Sequence, residues 1–272
     1  EQGKSAEART GAHPENTAGG NGICPACHSS DTVFIRKLRG QRSKKELSLY
    51  QCKDCGSLHN PSGYKEDDKA LQADKDFHVR VTDRNEGYSH ALIKKLLSLN
   101  PQARTLLDVG AGIGTLIRIG SQYGLACDGV EPNRHAVEYA KRNYGLSISC
   151  DYYRSSLFDR KFDIITIISV LEHLEDPELL FAEAVKDLQE NGLVFVSVPF
   201  YNPQKHERFL RNPDIEGTLF FDNDVHVTHF TVLGLRKMIE TYNPKSITQI
   251  GAGWNGLAVQ FGNSHCRGSV FP

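Results

Sequence analysis

Three groups of residues in this 272-residue chain have types and spacings that chemistry can use. The first is "TLLDVGAGIGT", Thr105 to Thr115, where Asp108 stands two residues ahead of the alternating glycines Gly110, Gly112 and Gly114. A carboxylate at the mouth of a glycine turn repels a pyrophosphate and suits a cationic ligand. The GxGxxG dinucleotide fingerprint also fails, since its last position falls on Thr115 counted from Gly110 and on Ile117 counted from Gly112. Glu131 follows at the end of "ACDGVEPN", where an acid can accept bonds from both hydroxyls of a ribose. The second group is four cysteines in two pairs, Cys24 and Cys27 in "CPAC" and Cys52 and Cys55 in "CKDCG". Cysteines spaced this way let one turn aim two thiolates at a single ion, and the set reads as a four-cysteine zinc site. Disulfides and an iron site use the same residues and stand as the alternatives. The third group is His173 in "SVLEHLEDP" with His226 and His229 in "DNDVHVTHFT", imidazoles that can take a proton from a hydroxyl. Their bland readings are a polar residue opening a loop and one face of a short strand.

These groups need elements to carry them. Leu106, Leu107 and Val109 suit a buried parallel strand, and Ile113, Leu116, Ile117 and Tyr123 recur at helical spacing up to a stop at Gly124. The glycines are then the turn from strand to helix N-terminus, the build of a nucleotide-binding crevice; a purely structural turn with Asp108 as a cap is the competing reading. "NRHAVEYAKRNYG" predicts a helix ending on Gly145, "SISC" a short strand and "FDIITIIS" a strand buried on both faces. Asp176 and Pro177 open a helix expected to run to Asn191 and Gly192. "LVFVSVP" is a further strand, Thr231 caps a helix through Tyr242, and "KSITQIGA" with "LAVQFGN" forms a terminal hairpin. Between the cysteine pairs "TVFIRK" and "ELSLYQ" alternate as hairpin strands. His28 and His59 beside the pairs read as bystanders, Cys127 and Cys150 as core residues, and Cys266 carries no signal.

Taken together, "LLDVGAGIG" and "GVEP" resemble motif I and the following acidic motif of class I S-adenosylmethionine-dependent methyltransferases. The resemblance covers about Asp83 to the C-terminus and implies a Rossmann-like α/β fold with a seven-stranded sheet, preceded here by a small zinc-ribbon β module. It implies S-adenosylmethionine as cofactor, held by Asp108, Gly110, Ala111, Gly112, Gly114, Glu131, Pro132, Asp151, Ser169 and Leu171. It also places His173, His226 and His229 on the acceptor side as candidate catalytic residues. The expected organisation is a disordered tail over 1–21, the ribbon over 22–62, a linker over 63–82 and the methyltransferase domain over 83–272. "LEHL" is similar to small-molecule methyltransferases, including the quinone-biosynthesis O-methylating type. The Asn or Asp followed by two prolines and an aromatic, usual in enzymes that methylate base amines, is replaced by Ser169, Val170, Leu171 and Glu172. A hydroxyl or carbon of a small molecule, sugar or glycan precursor is therefore the expected acceptor.

Methyltransferases with an N-terminal cysteine ribbon include an rRNA-modifying family and a deoxysugar C-methylating family, and the large extra C-terminal domain of the latter exceeds the length here. An RNA methyltransferase docking through the ribbon is one alternative, supported by the tip "RKLRGQRSKK" with six basic residues and no acid. A solvated tip is the competing reading of that segment, and a catalytically silent cofactor-binding protein is the other functional alternative. Net charge is −1, which supplies no general drive toward nucleic acid or anionic membrane. The longest apolar run, Ile164 to Leu171, is too short to span a bilayer, and a soluble cytosolic protein is expected. "HERFLRNPDIEGTLFFDND" is long for a connection and is expected to shape the acceptor pocket.

Overall fold

The computed structural model describes residues 22–40, 45–61, 77–206, 225–251 and 255–262, without the side chains of 77–85. The expectations for the tail, for residues 41–44 of the basic tip, for most of the linker and of the long connection, and for Cys266 lie outside these residues.

Two sheets are present among the described residues. The larger has six strands in the order β5-β4-β6-β7-β10-β9, where β4 is Thr105–Val109, β5 Ala126–Val130, β6 Phe162–Ile168, β7 Leu188–Ser197, β9 Ser246–Ile250 and β10 Gly256–Gln260. Strands β5, β4, β6 and β7 run parallel, and β10 returns antiparallel between β7 and β9. Their apolar runs are buried on both sides, as a parallel sheet covered by helices requires: Leu106, Leu107, Ile164, Ile165, Ile167, Val194, Phe195 and Val196 are all inaccessible. Helices α1 (Phe77–Leu99), α2 (Thr115–Gln122), α3 (Arg134–Tyr144), α4 (Pro177–Lys186) and α5 (Val232–Glu240) supply the cover. Helix α1 begins inside the stretch expected as linker.

Side-chain caps start three of the five helices. Asn133 accepts from the backbone N–H groups of His135 and Ala136, Asp176 accepts from Leu179 ahead of Pro177, and Thr231 accepts from Gly234. Helix α4 stops at Lys186, earlier than the expected Asn191. The next residue, the C-cap Asp187, has its carboxylate engaged by Tyr153 Oη at 2.7 Å and Ser155 Oγ at 2.9 Å, and Leu188 already pairs with Phe162 as β7 begins.

The expected seventh strand is a correction. "SISC" contributes one bridge, Val130 to Ser149, with Glu131 N–H donating to Ser149 O at 2.9 Å. The chain then leaves the sheet edge, so Cys150 is exposed and not the core residue expected; Cys127 is half-buried. A segment pairing through one residue has no second register point to continue a ladder.

The smaller sheet has the order β1-β2-β3-β8. Strands β1 (Thr32–Arg39) and β2 (Glu46–Cys52) form the expected hairpin, with β3 (Leu58–His59) beside β2. The fourth strand, β8 (Thr228–His229), comes from the far end of the chain and carries one of the candidate histidines.

Candidate active site

The crevice forms at the carboxyl ends of β4, β5 and β6, where the chain steps from β4 to β5 on one side and later to β6 on the other. Such a switch point leaves a gap between loops that diverge above the sheet. Gly110, Gly112 and Gly114 all have positive φ, at 77°, 53° and 78°, a region costly for residues with a Cβ. Gly110 also needs its missing side chain, since a Cβ there would lie 2.5 Å from Val170 Cγ2. Val170 opens the 3₁₀ turn Leu171–His173 after β6, so the glycine turn and the histidine-bearing turn pack directly together. Ser169, with φ at 56°, makes the bend between them.

Both crevice acids are almost wholly buried. Glu131 Oε2 accepts from Gly112 N–H at 2.8 Å and Oε1 from Asn133 N–H at 2.8 Å. One carboxylate thus fixes the glycine turn and the start of α3 and keeps a second lone pair on each oxygen. Asp108 accepts from Thr166 Oγ1 at 2.7 Å, its register partner on β6. Burial raises its carboxyl to about 7, with the Thr166 bond pulling the other way and the Glu131 charge adding to the rise. A cation beside this pair would favour both ionised forms. Ala111 N–H donates to Val130 O at 3.1 Å. Pro132 lies between Glu131 and the α3 cap. Asp151 stands at the exposed edge beyond the Ser149 bridge, held below the usual carboxylate range by Arg154 and by Tyr152 N–H. Leu171 is fully buried and Ser169 leads into its turn.

The three sequence-predicted histidines converge. The His173 and His226 rings have centroids 4.8 Å apart, and those of His226 and His229 are 6.0 Å apart. They differ in access: His173 is 36% exposed, His226 half-buried and His229 only 3% exposed. Burial, helped by the nearby His206, lowers His229 to about 4, which makes it a weak base. His173 Nδ1 lies 3.0 Å from Val225 O. A carbonyl can only accept, so neutral His173 carries its proton on Nδ1 and Nε2 is the basic nitrogen. Glu172 was not singled out by sequence reasoning, because a Glu in a polar "LEHLEDP" reads as surface. It is 1% exposed, neither carboxylate oxygen has a hydrogen-bond partner, and burial raises its carboxyl to about 8. One of its oxygens lies 3.9 Å from His173 Nε2, and donor atoms of Glu172, His173 and His226 fall within 4.8 Å of one another. Of the short strand read over His226 to Phe230, Thr228–His229 form β8, and both are buried.

The four cysteine sulfurs also lie within 4.8 Å of one another, with Cys24 to Cys55 at 3.7 Å and Cys27 to Cys52 at 3.5 Å. A tetrahedral zinc site with metal–sulfur bonds of about 2.3 Å has sulfur–sulfur edges of about 3.8 Å, so the spacing fits that ion. A disulfide needs about 2 Å. The crowding separates the thiols: the contact with Cys24 lowers Cys55 to about 5, and the same contact raises Cys24. His28 pairs with Glu178 of α4, and His59 is buried beside the knuckle.

A Rossmann-like sheet with an acid-bearing glycine turn at its switch point is the frame of a methyltransferase domain. Residues 82–249, more than half of the chain, match the family model described as "Methyltransferase domain", and the chain belongs to that family. It is similar to the ubiquinone biosynthesis O-methyltransferase of Bartonella quintana, 36% identical over 98 residues, which are 34% of this chain and 40% of the relative. A second such enzyme, from Pelagibacter ubique, is 29% identical over 128 residues, 45% of this chain and 47% of the relative. The chain thus spans less than half the length of these relatives. Two solved structures share the fold. The plantazolicin methyltransferase BpumL in complex with SAH superposes with a TM-score of 0.52 at 12% identity, covering 71% of this chain and 90% of that one. An O-methyltransferase family protein from Burkholderia thailandensis gives 0.52 at 13% identity, covering 74% and 64%. No helix among the described residues is long and apolar enough to cross a membrane.

Proposed function

We propose that the protein is an S-adenosylmethionine-dependent methyltransferase acting on a hydroxyl or carbon of a small molecule, sugar or glycan precursor. The observation that carries this reading is the packing of Val170 on Gly110, which brings the acid-lined glycine turn within three residues of the His173 imidazole. The fit to the cofactor rests on the donor set: two buried carboxylates, one within the strand and one binding the turn backbone, suit a cationic amino acid joined to a ribose. When bound, the cofactor supplies an electrophilic methyl group on a sulfonium.

The chain's own residues do the rest. Glu131 binds the ribose hydroxyls through its remaining lone pairs, and Asp108 serves the positive end of the cofactor. Ser169, Leu171 and Asp151 line the crevice edge. His173 Nε2 takes the proton of the acceptor hydroxyl during in-line attack, and the buried Glu172 carboxyl, 3.9 Å from that nitrogen, faces the imidazolium that results. Alignment and exclusion of water contribute much of the acceleration, since the sulfonium is already a good leaving group. His226 and His229 orient the acceptor and extend the polar wall. Cys24, Cys27, Cys52 and Cys55 would hold a zinc ion in a structural role. The RNA-docking alternative keeps only the basic tip, where Lys37 is already paired with Glu46 at 2.6 Å.

An acceptor screen with radiolabelled methyl donor, run against nucleotide-sugars, glycans, phenols and RNA, tests the reading. His173→Ala is expected to lower transfer about a hundredfold to ten-thousandfold and to leave cofactor affinity nearly intact. Transfer confined to RNA, or none to any acceptor, would overturn it.

A further inference from the structure

The cysteine module does not sit apart from the histidine-bearing segment; it holds it. Strand β3 pairs with β8 through Leu58 opposite His229 and His59 opposite Thr228, and Asn60 N–H donates to Val227 O at 2.9 Å. On the other side Val227 N–H donates to Glu172 O at 2.8 Å, and Tyr201 N–H donates to Phe230 O at 2.7 Å. The segment from His226 to Phe230 is thus clamped between the second cysteine knuckle and the 3₁₀ turn of Glu172 and His173.

The clamp is anchored two residues from the thiolates. Thr231 Oγ1 donates to Cys55 O at 2.6 Å while accepting from Gly234 N–H at 2.9 Å, and Thr231 N–H donates to Ser57 Oγ at 3.1 Å. Ser57 and Thr231 are buried, 0% and 7% exposed. Gly234 leaves room for the knuckle: a Cβ there would overlap Ser57 Oγ and lie 3.2 Å from Cys55 Sγ. Lys237 on α5 adds a bond to Asp54 O at 3.0 Å. The glycine turn is secured by different partners, with Gly110 and Ala111 N–H on Val130 O and Gly112 N–H on Glu131.

We infer that the four-thiolate centre is a positioning device for the acceptor side of the crevice, with Ser57 and Thr231 as its joint and β8 as the part it places. The inference rests on the zinc and acceptor readings given above. A two-residue strand cannot persist by its own pairing. Its order comes from what fixes its ends, and a knuckle of this size is fixed by its ion. Loss of the ion therefore releases Ser57–Asn60 and then His226–Thr231, while the crevice acids stay in place.

The test uses the full chain purified with its metal, before and after removal by a chelator, with zinc restored in a third sample. Hydrogen exchange is expected to quicken about tenfold or more in both 57–60 and 227–231 on removal, with 105–131 unchanged, and to recover with zinc. Cofactor affinity by calorimetry should stay within about twofold. A chain that carries no metal, a segment 227–231 that keeps its protection, or loss of protection throughout would each overturn the inference. Thr231→Val in the zinc-loaded protein supplies a second test. It should raise acceptor KM and lower kcat while zinc content and cofactor affinity hold, and Thr231→Ser should restore both; parental kinetics in Thr231→Val would count against the joint. The exchange result needs no acceptor, so a failed acceptor screen would overturn the proposed activity and leave the coupling standing on its own measurement.

Discussion

Glu131 shows how one side chain can serve structure and ligand together. Its oxygens already accept the N–H groups of Gly112 and Asn133, so truncation both removes a ribose partner and loosens the turn. Glu131→Ala is expected to weaken S-adenosylmethionine binding by about 1.5 to 3 kcal/mol, measured by calorimetry on a folded variant. Unchanged affinity would remove it from the ribose. Glu172 makes a separate prediction about pH. Its carboxyl is raised by burial from an ordinary value of 4.5 to about 8, so the folded chain keeps a proton that the unfolded chain has released between those values. Stability from this group is complete below about pH 4.5 and declines as pH rises toward 8. Glu172→Gln should flatten that decline, gaining on the parent by a few kcal/mol at pH 8 and little at pH 5. Parallel urea-denaturation profiles across this range would refute the assignment.

At the scale of elements, the glycine turn and the 3₁₀ turn after β6 form one unit. Gly110→Ala must place a Cβ 2.5 Å from Val170 with φ at 77°. The backbone penalty alone is about 1 to 2 kcal/mol, and moving Val170 shifts the turn that carries His173. The expected result is lower stability together with weaker cofactor binding, read by denaturation and calorimetry on the same preparation. A variant with parental values for both would mean that the two turns adjust independently. Helix α4 carries a related lesson. The carboxylate of Asp187 is drawn off by Tyr153 and Ser155, partners more than thirty residues away in sequence, so no local signal marked the helix end.

Across the whole molecule, the smaller sheet reaches the larger one's crevice through the segment that carries β8, where Val227 N–H bonds Glu172 O and Tyr201 N–H bonds Phe230 O. One zinc per chain is expected by elemental analysis, falling to near zero when Cys24 and Cys52 are both replaced by serine. Loss of two of four thiolates leaves a coordination set that no longer satisfies a tetrahedral ion. A folded ribbon in metal-free protein, seen by NMR, would contradict this. His28 to Glu178 and Lys237 to Asp54 add surface ties across the same boundary, worth little beside the buried joint at Thr231.

The sequence alone determined what depends on neighbours along the chain. The parallel strands announced themselves by apolar runs, the helices by Asp176 and Thr231 as caps and Gly145 as a stop, the crevice by three alternating glycines after an acid, and the knuckles by cysteine spacing. Those signals are local because backbone strain, capping bonds and bidentate ligation act within a few residues. Tertiary structure decided what depends on distant partners: the seventh strand shrank to the Ser149 bridge, Cys150 turned outward, and Glu172 became a buried carboxyl among imidazoles. It also joined β8 to β3 across more than 160 residues of chain, because a backbone hydrogen bond has no sequence signature and pairs with whichever edge packing brings alongside.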